Sequence, residues 1–173
     1  MRVFLAIDVP YSQSLDKIYD ILSKDGYCKL VNKDILHLTI HFYGELSEKQ
    51  INSLKETLKT IDFPKFEYEL NGIGFFPNRD EIQVIWVGFE SIMIEAFYRE
   101  VKKKFQFQPK QKFVPHITIA RASQRLDDEV YEKLLELQSE YFGCGIVNSL
   151  KLKKSTLTPN GPIYEDLAEV ELK

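Results

Sequence analysis

The chain holds three histidines, and two of them sit in matching tetrapeptides: His37-Leu38-Thr39-Ile40 returns 79 positions later as His116-Ile117-Thr118-Ile119. On a β-strand alternate side chains share a face, so each copy offers an imidazole and a hydroxyl to one side and two aliphatic anchors to the other. A His-x-Thr pair spans roughly 6.6 Å at a rise of about 3.3 Å per residue, short enough for both side chains to touch one phosphate-sized group. An imidazole with a pKa near 6.5 is base or acid around neutrality, so two of them can supply both halves of a proton-in, proton-out displacement. The threonine hydroxyls can donate to non-bridging oxygens as charge develops there. The chemistry that fits is attack on a phosphodiester, without a metal, by water or a hydroxyl.

His41 offers a different reading, with His37 and His41 as an H-x-x-x-H pair and His116 as a third metal ligand. That spacing converges on a helix, but on a strand it sets the two Cα atoms roughly 13 Å apart, while zinc–nitrogen bonds are only about 2.0–2.1 Å. No metal site is therefore expected. Strand parity gives His41 the same face as His37, which leaves it lining the cleft, facing solvent or packed.

The surrounding elements have to bring the two tetrapeptides together. Arg2 to Val9 alternates as a strand, and Pro10 ends it. A helix is expected from an N-cap at Ser12 through Leu15, Ile18, Tyr19 and Leu22, stopping at Gly26. Leu36 to Tyr43 is the first motif strand, and Ser47-Glu48-Lys49-Gln50 is a capping box opening a helix with Ile51, Leu54, Leu58 and Ile61 on one stripe. Phe66 to Leu70 and Ile82 to Phe89 read as a hairpin joined through Phe76-Pro77-Asn78-Arg79-Asp80. A third helix carries Ile94, Phe97, Tyr98, Val101 and Phe105, with lysines at its C-terminal end where they suit the helix dipole. The second motif strand follows Pro115. A fourth helix starts at Asp127 with Val130, Leu134, Leu137 and Tyr141 buried, and two further strands flank Pro159-Asn160-Gly161-Pro162. Twice the chain runs helix, motif strand, helix, strand pair. The order predicts an α+β fold of two similar lobes about an approximate two-fold axis, the one arrangement in which His37 and His116 face each other.

At 173 residues the chain can bury its own core as a single domain over 1–173, without staples. Its composition, 44% hydrophobic and 28% charged, excludes the disordered and collagenous classes, and no apolar run approaches the roughly 20 residues of a spanning helix. The amino terminus does not read as a secretory signal, and Cys28 and Cys144 lack metal or redox spacing, so a cytoplasmic protein with two free thiols is expected. A net charge of −3 excludes a wholesale basic surface, but Lys102-Lys103-Lys104, Lys110, Lys112, Lys151, Lys153 and Lys154 could supply local positive charge for a polyanion.

The segments 1–8, 36–45 (Leu-His-Leu-Thr-Ile-His-Phe-Tyr-Gly-Glu), 83–88 (Gln-Val-Ile-Trp-Val-Gly), 115–121 (Pro-His-Ile-Thr-Ile-Ala-Arg) and 154–159 (Lys-Ser-Thr-Leu-Thr-Pro) resemble those of the RNA 2',3'-cyclic phosphodiesterases. These are the LigT-like proteins, or 2'-5' RNA ligases, of the two-histidine phosphoesterase superfamily. The likeness runs in order over essentially the whole chain, and the 154–159 stretch looks most like archaeal members. The resemblance implies a bilobal α+β fold, two pseudo-symmetric lobes of antiparallel sheet with outer helices and the active-site groove between them. It also implies a hydrolase: metal-independent opening of RNA 2',3'-cyclic phosphate ends to 2'-phosphomonoesters, with no cofactor, some members also joining RNA through a 2'-5' linkage. Carried over by position, His37 and His116 match the catalytic pair; the expected mechanism takes His37 as the proton donor and His116 as the proton acceptor, labels the pseudo-symmetry leaves interchangeable. Thr39 and Thr118 match the phosphate-binding hydroxyls, and Arg121 a substrate contact. The implied partner is RNA with 2',3'-cyclic phosphate ends, tRNA-derived ends among them, and not a membrane; a monomer is expected. The rival from another class is a non-catalytic RNA-end-binding module using the same groove.

Overall fold

The structure is a computed structural model describing residues 1–173. Nine strands form one antiparallel sheet: β1 Arg2–Asp8, β2 Cys28–Leu30, β3 His37–Glu45, β4 Phe66–Pro77, β5 Ile82–Glu90, β6 His116–Ala122, β7 Tyr141–Val147, β8 Ser149–Thr158 and β9 Gly161–Glu171. Four helices accompany them: α1 Asp16–Leu22, α2 Glu48–Leu58, α3 Ile94–Phe105 and α4 Asp128–Leu135. The strand order is β7-β4-β5-β6-β3-β1-β8-β9, with β2 on β6. The two motif strands β3 and β6 therefore lie side by side at the centre, each heading four strands, and a single register pair, Leu38 with Ile117, joins the halves.

The lobes are not the sequence repeats folded separately. The hairpin that follows the first motif, β4-β5, pairs with the second motif strand, while β8 and β9 return to β1 and so to the first motif strand. Each half thus takes strands from both repeats. One hydrophobic cluster of 39 buried residues runs through both halves, from Val3, Leu5 and Ile7 to Ile117, Ile119 and Phe142. It lies on the face that Leu38, Ile40, Ile117 and Ile119 share, which leaves the histidine and threonine face open.

Local signals fix most elements. Ser47 and Gln50 form the expected capping box: the Gln50 N–H donates to Ser47 Oγ at 3.2 Å and the Ser47 N–H to Gln50 Oε1 at 2.8 Å. Asp127 Oδ1 caps α4 by accepting from the Glu129 N–H at 2.9 Å. Two expectations about helices fail. Ser12 caps no helix; its hydroxyl donates to the Phe142 carbonyl of β7 at 3.4 Å, a 3₁₀ turn covers Gln13–Leu15, and α1 begins at Asp16. Tyr141 is not on the buried face of α4, which ends at Leu135; it opens β7 and is 52% exposed. β7 escapes a reading by alternation because Gly143 and Gly145 remove two side chains from its pattern, and Gly145 leaves the room that the Tyr68 ring fills. The β4-β5 turn is also tighter than its sequence implies. β4 continues through Pro77, and Asn78 Oδ1 accepts from the N–H groups of Asp80 and Glu81 at 2.9 and 3.0 Å.

Candidate active site

Because Leu38 stands opposite Ile117 in an antiparallel pair, His37 falls across from Thr118 and Thr39 across from His116. The four polar side chains form a checkerboard on the open face, with the histidines on one diagonal. The two rings are near enough that a charge on His116 disfavours a charge on His37.

Each imidazole is held in the same way. His37 Nδ1 meets the Ile35 carbonyl at 2.8 Å and His116 Nδ1 the Val114 carbonyl at 2.6 Å, in both cases two residues upstream. A carbonyl can only accept, so Nδ1 carries the hydrogen and Nε2 is left as the nitrogen that takes or gives a proton. Each ring also has one aromatic neighbour edge-on and one tilted: Tyr164 at 5.2 Å and Phe4 at 5.3 Å for His37, Phe76 at 4.9 Å and Trp86 at 5.6 Å for His116. Trp86 can lie there because Gly74 is beneath it; a Cβ on Gly74 would sit 2.1 Å from the indole.

Burial is the main cause that lowers the pKa of both histidines, and the carbonyl hydrogen bonds offset it only in part. The remaining influences differ between the halves. Lys153 further disfavours the charged form of His37 while Asp8, its register partner on β1, favours it; Arg121 disfavours the charged form of His116. Asp8 belongs to a compact network: Lys153 Nζ reaches Asp8 at 2.9 Å and Asp166 at 2.7 Å, and Lys151 Nζ reaches the same two carboxylates at 2.8 and 2.9 Å. Lys153 is buried, so a lysine that the sequence offered to a polyanion is instead a paired charge beside the groove.

A β-bulge decides the fate of His41. On β1, Ala6 pairs with Thr39 and Leu5 with His41, so Ile40 is left without a partner and the parity of β3 reverses there. His41 consequently shares the core-facing side with Leu5 and stacks on Phe107 at 4.0 Å, with Tyr43 edge-on at 4.6 Å. It does not line the groove, and no group of three or more His, Cys, Asp or Glu side chains is placed to hold a metal ion. The same bulge recurs in β6: Trp86 pairs with Thr118 and Ile85 with Ala120, leaving Ile119 unpaired. Simple alternation from His116 would send Arg121 to the core. The bulge returns it to the groove face, exposed and across from Val84.

All five expected residues, His37, His116, Thr39, Thr118 and Arg121, thus lie on one face at the β3/β6 junction. The aromatic frame and the Asp8–Lys153 pair were not expected. The 79-residue offset does reveal one of the unforeseen positions, since it relates Arg121 to Phe42, which is 47% exposed with the Arg2 guanidinium 5.2 Å over its ring. Tyr164 has no equivalent signal.

Comparison with known proteins gives the family and the fold. A family model described as LigT-like phosphoesterase matches residues 5–86 and 92–164. The RNA 2',3'-cyclic phosphodiesterase of Methanocaldococcus jannaschii is 37% identical, over 98% of this chain and 99% of its own. That of Archaeoglobus fulgidus is 34% identical over 99% and 100%. Among solved structures, E. coli LigT complexed with 3'-AMP superposes with a TM-score of 0.76 at 24% identity, covering 99% of this chain and 97% of that one.

Proposed function

Because this chain belongs to the LigT-like phosphoesterase family, we propose that it is an RNA 2',3'-cyclic phosphodiesterase that opens the cyclic end to a 2'-phosphomonoester with its own side chains. The observation that carries this reading is the matched pair of imidazoles, each tied through Nδ1 to a carbonyl two residues upstream and each diagonal to the other across two threonines.

In the proposed step water attacks phosphorus in line with the 3' oxygen. The new P–O bond forms from water as the P–O3' bond breaks. His116 Nε2 takes the water proton and His37 Nε2 gives one to the departing 3' oxygen, leaving a 2'-phosphate and a free 3'-hydroxyl. Thr39 and Thr118 donate to the non-bridging oxygens, and Arg121 neutralises charge at one end of the groove. The two labels are interchangeable by the pseudo-symmetry of the site: around His37 the favourable charge of Asp8 is opposed by the stronger influence of Lys153, and around His116 Arg121 favours the neutral ring. Both halves of the sheet contribute, so residues 1–173 act as one unit.

We place the enzyme in the cytoplasm as a monomer acting on cyclic-phosphate ends such as those of cleaved tRNA, a placement supported by two free cysteines that suit a reducing compartment. No helix is long and apolar enough to cross a membrane.

The test is product analysis on an RNA oligonucleotide ending in a 2',3'-cyclic phosphate, with chelator present. A 2'-phosphomonoester is expected. A 3'-phosphomonoester would overturn the assignment of the 3' oxygen as the leaving group, and retained binding without product would leave a binding module instead.

A further inference from the structure

We propose that the RNA strand on the 5' side of the cyclic end runs along a basic band that begins at the C-terminal turn of α3 and reaches β6 through residues 106–115. This rests on the phosphodiesterase reading and adds to it a contact surface for the strand behind the cyclic end.

The band is visible first as charge. Between Glu100 and Asp127 the chain has five lysines, two arginines and no acid; all five lysines lie in the band, while Arg121 stands in the groove and Arg125 pairs with Asp128 at 3.0 Å. The pseudo-equivalent stretch around the first motif, residues 22–47, has three lysines against two aspartates and a glutamate and is neutral. The two-fold relation that matches the histidines is therefore broken electrostatically, and the polyanion is drawn to the half that carries His116.

Pairing separates this band from an ordinary solvated surface. Lys151 and Lys153 are each held by two carboxylates, and Lys154 faces Glu165 at 3.9 Å, so the lysines of β8 are committed. Arg99, Lys102, Lys103, Lys104, Lys110 and Lys112 enter none of the ion pairs of the structure. Complementing the dipole of α3 accounts for Lys102, Lys103 and Lys104, which stand in its last turn, but not for Arg99, Lys110 or Lys112.

The shape fits a backbone as well. Arg99, Lys102, Lys103, Gln106, Phe107 and Gln108 line an open recess of about 470 Å³ in which Phe107 is the one hydrophobic residue. Phe107 is fixed from below by its stack on His41, and Tyr98 stacks on Phe113 at 3.9 Å, so the connection is pinned at both ends. From there Lys110 and Lys112 lead to Val114, whose carbonyl orients His116. His41, removed from the groove by the bulge, thereby acquires a place in the architecture of this second surface.

The experiment compares kcat/KM on 2',3'-cyclic AMP and on a short single-stranded RNA with a 2',3'-cyclic end, for the wild type and for a triple variant, Arg99→Glu, Lys102→Glu and Lys103→Glu. Turnover of the mononucleotide is expected to stay at the wild-type level, while that of RNA falls about tenfold or more and its log–log salt slope drops by about 2, from roughly 0.7 per phosphate contact on single strands. An unchanged RNA rate, or equal losses on both substrates by a folded variant, would overturn the proposal. If the triple reversal unfolds, seen as a lost melting transition, the corresponding glutamine variant gives the same comparison with a smaller drop. Wild-type inactivity on both substrates would instead defeat the phosphodiesterase reading itself.

Discussion

Arg121 and Phe42 occupy the same place on the two motif strands, each three residues beyond its threonine and each returned to the groove face by a bulge at the intervening isoleucine, Ile119 or Ile40. The groove is thus symmetric at its centre and unlike at its ends, cationic at one and aromatic at the other.

The cationic end gives a first expectation. Arg121 touches no acid in the structure and acts on both His116 and Tyr164. Arg121→Ala should raise KM for a cyclic-phosphate substrate about tenfold while kcat falls less, with partial recovery in Arg121→Lys, because a point charge replaces part of what the guanidinium fork supplies. Steady-state kinetics decide it; an unchanged KM would remove Arg121 from the substrate.

The histidines should behave as one device. His37→Ala and His116→Ala are each expected to lower kcat by about 10² to 10⁴, with the double variant little worse than either single one, because half a proton relay is no relay. Thermal melts run beside the assay separate this from misfolding. Near-normal turnover by either single variant would sink the mechanism.

Acidification should weaken both activity and fold. With folded-state pKa values below the ordinary 6.5, the unfolded chain takes up protons first as pH falls, so the stability present above about pH 6.5 is lost on the way down. Asp8 and Asp166 are also lowered; burial alone would raise them, but Lys151 and Lys153 outweigh it, and their contribution is lost only as pH falls below the ordinary 3.8. Urea titrations between about pH 7.5 and about pH 5 therefore isolate the histidines, and His37→Ala should flatten that slope. The acid limb of kcat/KM should likewise lie below the ordinary histidine value. A limb above it would contradict the burial argument.

Gly74 gives a test from a position that touches no substrate. Gly74→Ala places a methyl 2.1 Å from the ring of the sole tryptophan, which must then tilt away from His116. A loss of about 1–3 kcal/mol, a shift in tryptophan emission and reduced turnover are expected together. Unchanged emission would mean that Trp86 does not depend on Gly74.

The amino-acid sequence already carries the parts whose physics is local. The His-x-Thr repeat, the capping box at Ser47 and the apolar stripes of α2 and α3 are set by neighbours within a few residues, and spacing alone exposes them. It also predicted two related halves meeting at the motif strands. What depends on partners far along the chain was settled only on folding. Which strands build each half was one such choice, because β4-β5 pairs with the later motif strand. The bulges were another: an unpaired Ile40 or Ile119 exists only relative to β1 or β5, yet it reverses strand parity, sending His41 to the core and bringing Arg121 to the groove. The electrostatic frame was the third, since Lys153 counts as a surface lysine until β1 and β9 place Asp8 and Asp166 against it. Periodicity records which face a residue would take on an unbroken strand, and only cross-strand register determines whether the strand is unbroken.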